Sequence, residues 1–262
     1  MDIKLSSNYG YLRNFIEGEF KEVETDAFIK THDPGLGKVI ANVPITKDVT
    51  PAVTSALNAF NKWSRIPIYE RLQYLVKLKI LMEEYRNELA SLIAQNVGKT
   101  LREANGELQR AIDSIDMALG APHLFAENTK MMNIAKTEPE IDMETVKEPL
   151  GVFAIITPFN FPVMIPMWFI PLAITLGNTI ILKPSELDPV PPTALMRLFK
   201  DAGYPQGVVN LVHGDATTVQ ALLAHKDITG VAFVGSTKVA EEIYSKAAYY
   251  GKRVLAGAGA KN

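Results

Sequence analysis

The sequence predicts an α/β protein built on a doubly wound, mainly parallel sheet, with helices ahead of the sheet and a β-hairpin that protrudes from it. Three observations predict this. From Pro149 to Leu182 no side chain is charged, yet four further prolines cut the stretch into short pieces. From Gly151 onward, β-prone runs alternate with helical runs, the mark of a parallel sheet with crossovers. Upstream, apolar residues recur at spacings of three and four, as in helices with one buried face. At 262 residues the chain is long enough for one large α/β domain or two smaller ones.

The uncharged stretch raises the possibility of a membrane span. Pro158, Pro162, Pro166 and Pro171 oppose it, because each removes a backbone donor and strands carbonyls that lipid does not satisfy. In pieces it reads as a strand over Gly151–Ile156, a turn over Thr157–Pro162, a helix over Met164–Leu176 and a strand over Thr179–Leu182. That is a right-handed crossover with both strands covered on both faces.

In chain order, Asn14–Phe20 and the turn Asp33-Pro34-Gly35 read as short strands of an extended arm. Thr50-Pro51 suggests an N-cap and first helical residue, with the helix running to Trp63. Leu75, Leu78, Met82, Tyr85, Leu89 and Leu92 form one stripe, which predicts a single long helix closed by Gly98. Leu101, Ala104, Leu108, Ala111, Ile115 and Ala118 predict another. Residues 131–148 are polar, with Pro139 between two β-capable runs. They read as a solvated linker or a protruding hairpin, and their length suits a hairpin that packs on a partner subunit. After the crossover come helices over Pro189–Ala202, Ala216–His225 and Lys238–Tyr249. Strands are expected over Val208–Val212, Val231–Val234 and Arg253–Ala256. The expected organisation is an arm with helices over 1–130, a hairpin over 131–148 and a sheet core over 149–262.

Net charge is −2, which excludes a basic nucleic-acid surface. With no cysteine there is neither a disulfide framework nor a thiolate metal site. His32, His123, His213 and His225 show no ligand spacing, so no metal site is expected. The N-terminus opens on polar sequence rather than a signal peptide, and a soluble cytoplasmic protein with no membrane partner is expected.

Ligand chemistry in such a sheet lies at the carboxyl ends of the strands. Lys183-Pro184-Ser185-Glu186 leaves a buried strand with a cation and a carboxylate, a set able to hold a ribose; alternatively Ser185 caps a helix and Glu186 sits in its first turn. Gly235-Ser236 ends a strand and opens a helix, which suits a pyrophosphate on backbone donors. It is not a complete dinucleotide fingerprint. His213-Gly214 allows close backbone approach or is a plain tight turn. Asn160, in Thr157-Pro158-Phe159-Asn160, either donates to a developing oxyanion or caps the helix that follows.

The set NFIEGEF near the start, ITPFNFP (Ile156–Pro162), ILKPSE (Ile181–Glu186), VNLVHGD (Val209–Asp215), FVGST (Phe233–Thr237) and GAGAKN (Gly257–Asn262) resembles the aldehyde dehydrogenase superfamily along essentially the whole chain. PFNFPVMIPMW and GAKN look most like its CoA-acylating methylmalonate-semialdehyde dehydrogenase branch. The resemblance implies a Rossmann-like core and a nicotinamide dinucleotide cofactor. It implies Asn160 as oxyanion donor, Lys183 and Glu186 at the adenosine ribose with Ser185 in the same loop, and Ser236 at the pyrophosphate with Gly235 shaping its turn. Ile156, Thr157, Pro158 and Phe159 would wall the cofactor, with Gly214 close by. Glu186 favours NAD over NADP, because a 2′-phosphate would meet its charge, although family members of both kinds carry it. Arg110, after Gly106-Glu107, fits the arginine that meets a substrate carboxylate; an exposed helix arginine is the plain alternative.

Two departures from the family pattern stand out. Glycine occupies position 257, where the family carries its general-base glutamate, and this suits acyl transfer to CoA, which needs no activated water. The nucleophilic cysteine follows this motif in the family, and no cysteine is present here. Family chains are roughly twice as long, by domain content. The expectation is therefore a cofactor-binding half without its catalytic domain, inactive alone, working as a homo-oligomer or with a complementing catalytic-domain polypeptide. A non-catalytic binding or interaction protein that keeps the fold is the alternative.

Overall fold

The computed structural model describes residues 3–125, 130–134 and 140–259. The arm forms two ribbons. β1 (Asn14–Ile16) and β2 (Glu19–Lys21) pair antiparallel across Glu17-Gly18. β3 (Phe28–Asp33) and β4 (Lys38–Pro44) pair across the expected Asp-Pro-Gly turn, where Asp33 Oδ1 accepts the Leu36 N–H at 3.0 Å. α1 (Thr50–Trp63) starts one residue earlier than expected. Val49 is its N-cap, Thr50 is its first residue, and Asp48 Oδ1 accepts the Thr50 N–H at 2.9 Å.

The long helix expected through Leu75–Leu92 is two helices, α2 (Ile68–Glu84) and α3 (Arg86–Val97). Tyr85, at φ −95° and ψ 21°, breaks the run. The apolar stripe continues across the break because both helices face the same core. Gly98 ends α3 at φ +82°, a conformation glycine adopts without a Cβ penalty. α4 (Leu101–Leu119) opens with a capping box between Thr100 and Glu103. Leu101, expected in its buried stripe, is exposed, and the stripe begins at Ala104. A short α5 (Ala121–Phe125) follows. β5 (Lys130–Met131) and β6 (Met143–Glu144) pair antiparallel, forming the base of the expected hairpin; Pro139 lies outside the described residues.

The crossover unit is β7 (Val152–Ile156), α6 (Met164–Thr175) and β8 (Thr179–Lys183). Then come α7 (Val190–Asp201), β9 (Val209–Leu211), α8 (Ala216–Ala224), β10 (Ile228–Gly235), α9 (Thr237–Tyr249) and β11 (Arg253–Ala258). The main sheet has the order β11-β10-β7-β8-β9-β1-β2. The five strands from β11 to β9 are parallel, and β1 closes on β9 antiparallel.

The uncharged stretch is explained by burial on both faces of the sheet. Val152, Ala154 and Ile156 pack with α1, α8 and α9 on one side. Ile155, Ile180 and Leu182 pack with α6, α7 and the N-terminal helices on the other. A strand buried on both faces reads as a continuous apolar run. Trp63 Nε1 donates to the Ile174 carbonyl at 2.8 Å and Arg71 Nε to the Thr175 carbonyl at 2.8 Å, so α1 and α2 hold the end of α6. Among the described residues no helix is long and apolar enough to cross a membrane.

Candidate functional site

Strand order reverses between β7 and β10: the chain moves from β7 to β8 and β9 on one side, then to β10 and β11 on the other. Such a switch point opens a crevice at the carboxyl ends of the strands. Four of the expected segments end there. Residues 157–160 follow β7, 184–186 follow β8, Gly214 follows β9, and Gly235-Ser236 joins β10 to α9.

Lys183 is the last residue of β8. Its side chain is almost fully buried, and its Nζ lies 2.9 Å from Glu186 Oε2. Glu186 remains partly exposed. The helix-capping reading of Ser185 and Glu186 does not hold. The helix starts at Val190, whose first turn takes Pro191 and Pro192, and Ser185 Oγ instead accepts the Leu187 N–H at 3.1 Å. The Thr157 N–H donates to the Lys183 carbonyl at 3.2 Å, which fixes the β7 and β8 loops relative to each other.

Ser236 occupies the N-cap of α9 but makes no side-chain capping bond there. Ser236 is exposed, and α9 opens directly after the carboxyl end of β10, where the helix dipole adds partial positive charge. A Cβ at Gly235 would come within 2.4 Å of the Phe233 ring, so the turn admits only glycine without rearrangement. Gly214 sits at φ +150°, and a Cβ there would come within 1.8 Å of Thr218 Oγ1. The turn is held from the N-terminal arm: the His213 N–H donates to Asn14 Oδ1 at 2.8 Å and the Thr46 N–H to the His213 carbonyl at 3.1 Å. The His213 ring is buried, with Nε2 3.2 Å from Thr193 Oγ1. Burial, and secondarily the charge of Lys183, push its pKa down to about 3, so the ring is neutral.

Thr157 Oγ1 is buried and has no protein partner. An orphaned hydroxyl, a Ser236 hydroxyl with no capping bond and a partly exposed carboxylate at the ends of neighbouring strands fit a polyhydroxylated, anionic ligand such as a dinucleotide. The N-cap of α6 is Val163, so Asn160 does not cap that helix; it stands exposed at the crevice. Phe159 is also exposed, while Ile156 and Thr157 are buried and Pro158 lies between.

Around the start of α4 lie Glu107 and Lys99, which motif spacing did not single out, beside Arg110, which it did. Glu107 is fully buried. Its Oε1 accepts the Val163 and Met164 N–H groups at 2.9 and 3.2 Å, and its Oε2 lies 2.5 Å from Lys99 Nζ. Lys99 Nζ is 3.8 Å from the centre of the Phe161 ring, and the Arg110 guanidinium carbon is 5.2 Å from it. Arg110 is exposed, on the same side as the 157–162 loop. Nearby Asp188 is buried, with neither carboxylate oxygen bonded; burial first, then the charge of Glu107, hold its pKa well above the usual carboxylate range. The signal for Glu107 was an acid inside an apolar stripe, four residues before the buried Ala111.

Gly257 lies on β11, opposite Val234 of β10, and among the described residues a Cβ there would meet only the Val234 side chain and the Phe233 carbonyl within 4 Å. Residues 260–262 of the GAGAKN motif fall outside the described residues. Among the described residues no group of three or more histidine or acidic side chains is arranged to hold a metal.

Residues 20–262 match the Aldehyde dehydrogenase family. The chain is 44% identical over 253 residues to malonate-semialdehyde dehydrogenase 1 of Geobacillus kaustophilus, covering 96% of this chain and 51% of that protein. The crystal structure of methylmalonate-semialdehyde dehydrogenase from Oceanimonas doudoroffii superposes with a TM-score of 0.91 at 38% identity, covering 97% of this chain and 51% of that one. The NAD+ complex of an aldehyde dehydrogenase from Bacillus cereus superposes at 0.90 with 32% identity, covering 100% and 55%. The chain spans about half the length of the curated relatives it matches.

Proposed function

Because the chain belongs to the aldehyde dehydrogenase family, we propose that it supplies the nicotinamide dinucleotide site and the oxyanion donor of an enzyme that oxidises a carboxylated semialdehyde. The carrying observation is the Lys183–Glu186 pair at the end of β8, beside the switch point, with Glu186 open to a ligand. In this reading Glu186 takes the ribose hydroxyls and Lys183 adds a donor. Ser236 and the amides opening α9 take the pyrophosphate, with Gly214 and Gly235 allowing close approach. Ile156, Thr157, Pro158 and Phe159 wall the nicotinamide end, and Ser185 shapes the ribose loop. The cofactor, when bound, accepts a hydride. Asn160 donates to the oxygen that becomes negative as the carbonyl carbon turns tetrahedral, and Arg110 receives the substrate's carboxylate. Gly257 offers no base for water, which supports CoA as the acyl acceptor. The exposed methionines Met131, Met132 and Met143 around the β5–β6 ribbon form the face assigned to a partner polypeptide.

Calorimetry tests the cofactor assignment. Glu186→Ala is expected to weaken NAD binding by about 1–3 kcal/mol, the worth of a lost hydrogen bond to a charged group. NADP is expected to bind more weakly than NAD to the unaltered chain. Equal NAD affinity for both proteins would remove the ribose assignment.

Arg110 is tested in an enzyme reconstituted with a catalytic-domain polypeptide. Arg110→Ala is expected to lower kcat/KM for carboxylated aldehydes by about 10- to 100-fold, the scale of a charge-assisted bond, and to leave neutral aldehydes nearly unchanged. Equal loss on both classes would remove the carboxylate assignment.

A further inference from the structure

The loop 157–162 needs anchors, because it has no regular structure and Pro158 and Pro162 contribute no N–H. One end is fixed by the bond from the Thr157 N–H to the Lys183 carbonyl. The other end opens α6, whose N-cap, Val163, provides no capping side chain. Glu107, 56 residues earlier in the chain, fills that role by accepting the N–H groups of Val163 and Met164 on one oxygen. A serine or aspartate within the loop would cap the helix more simply. A fully buried charge is tolerated only when paired and hydrogen-bonded, and here Lys99 lies 2.5 Å from Glu107 Oε2. Lys99 also lies on the Phe161 ring inside the loop, so the ion pair grips the loop at two points.

Glu107 and Arg110 are three residues apart on α4 and so share a face of the helix. Arg110 reaches the same Phe161 ring at 5.2 Å. We propose that Glu107 is a positioning residue that sets the distance between Asn160 and Arg110. It fixes the loop carrying the oxyanion donor to the helix turn carrying the arginine. A substrate with an aldehyde at one end and a carboxylate at the other is thereby measured for length. This rests on the reading of Asn160 and Arg110 given above. It adds that neither is set by its own loop or helix alone.

The test is amide exchange and side-chain resonances in the isotope-labelled chain, comparing Glu107→Ala and the isosteric Glu107→Gln. In Glu107→Ala the Val163 and Met164 amides are expected to exchange about tenfold faster or more, while Ile155 and Leu182 in the sheet are unchanged. The Asn160 side-chain amide is expected to shift or broaden in the same variant and to return toward its wild-type position in Glu107→Gln. Acceleration spread equally over the sheet would reduce Glu107 to a stability residue and overturn the proposal. So would an unchanged Asn160 resonance. Where the alanine variant does not fold, Glu107→Leu, which fills the space but offers no acceptor, carries the test, with acceleration confined to 163 and 164 as the expected result and none as the overturning one. Absence of NAD binding by the unaltered chain would instead sink the cofactor reading and leave these amide results standing.

Discussion

Lys99→Met is expected to lower the unfolding free energy by about 3 kcal/mol, at the low end of the roughly 3–5 kcal/mol for breaking a buried pair from one side. Methionine keeps most of the stem and removes only the charge, so the loss is electrostatic rather than a cavity. Glu107 is fully buried, and without Lys99 its carboxylate keeps two amide donors but no counter-charge. Those two amides place the loss at the lower end. The Lys99 ammonium also leaves the face of Phe161, which adds to the effect. Urea denaturation gives the measurement, with an unchanged m-value expected. Removing an exposed pair such as Arg13 with Glu22 is the control, since exposed pairs contribute little. A loss in Lys99→Met no greater than the control would show that the pair does not hold the loop.

The parts of this fold that the sequence revealed are those whose cause is local or periodic. β7 and β8 were readable because burial on both faces excludes charge, and the prolines set where the pieces end. Gly98 marked the end of α3 because only glycine takes that φ easily. The break at Tyr85 was not readable. No glycine or proline marks it, and the apolar spacing runs through because tertiary contact, not helix continuity, keeps it. Ser185-Glu186 carried a capping signal that the chain does not use, because Pro191 and Pro192 favour a helix starting at Val190. The crevice was readable for the same reason as the sheet: strands alternating with helices place their carboxyl ends together. The clamp was not. Glu107 meets Val163 and Met164 only after α4 and α6 have packed, and nothing in the spacing of residues 98–110 announces the partner. Arg110 was named by motif, and the structure adds its approach to Phe161.

The 262-residue chain, assayed by itself with NAD, is expected to form no measurable NADH from any of several aldehydes, with or without CoA. The chemistry the family resemblance implies begins with a thiolate adding to the aldehyde, which creates the tetrahedral carbon from which hydride leaves. No cysteine is present in these residues. The alternative is a hydrated aldehyde losing hydride directly, which needs a base to take the hydroxyl proton. Position 257 is glycine, and its nearest neighbours are the Val234 side chain and the Phe233 carbonyl. His213 is neutral but buried against Thr193, so it does not reach the crevice. What remains is Asn160, and an oxyanion donor is worth about 3–4 kcal/mol. Enzymes of ordinary power lower the barrier by roughly 8–23 kcal/mol, so most of it is unprovided. Cofactor binding is expected to persist, because Lys183, Glu186 and Ser236 all lie in this chain. The assay is NADH absorbance at high protein concentration, with NAD binding checked on the same sample by calorimetry. Turnover proportional to the chain and lost in Asn160→Ala would show that the crevice contains a base or nucleophile other than those named here.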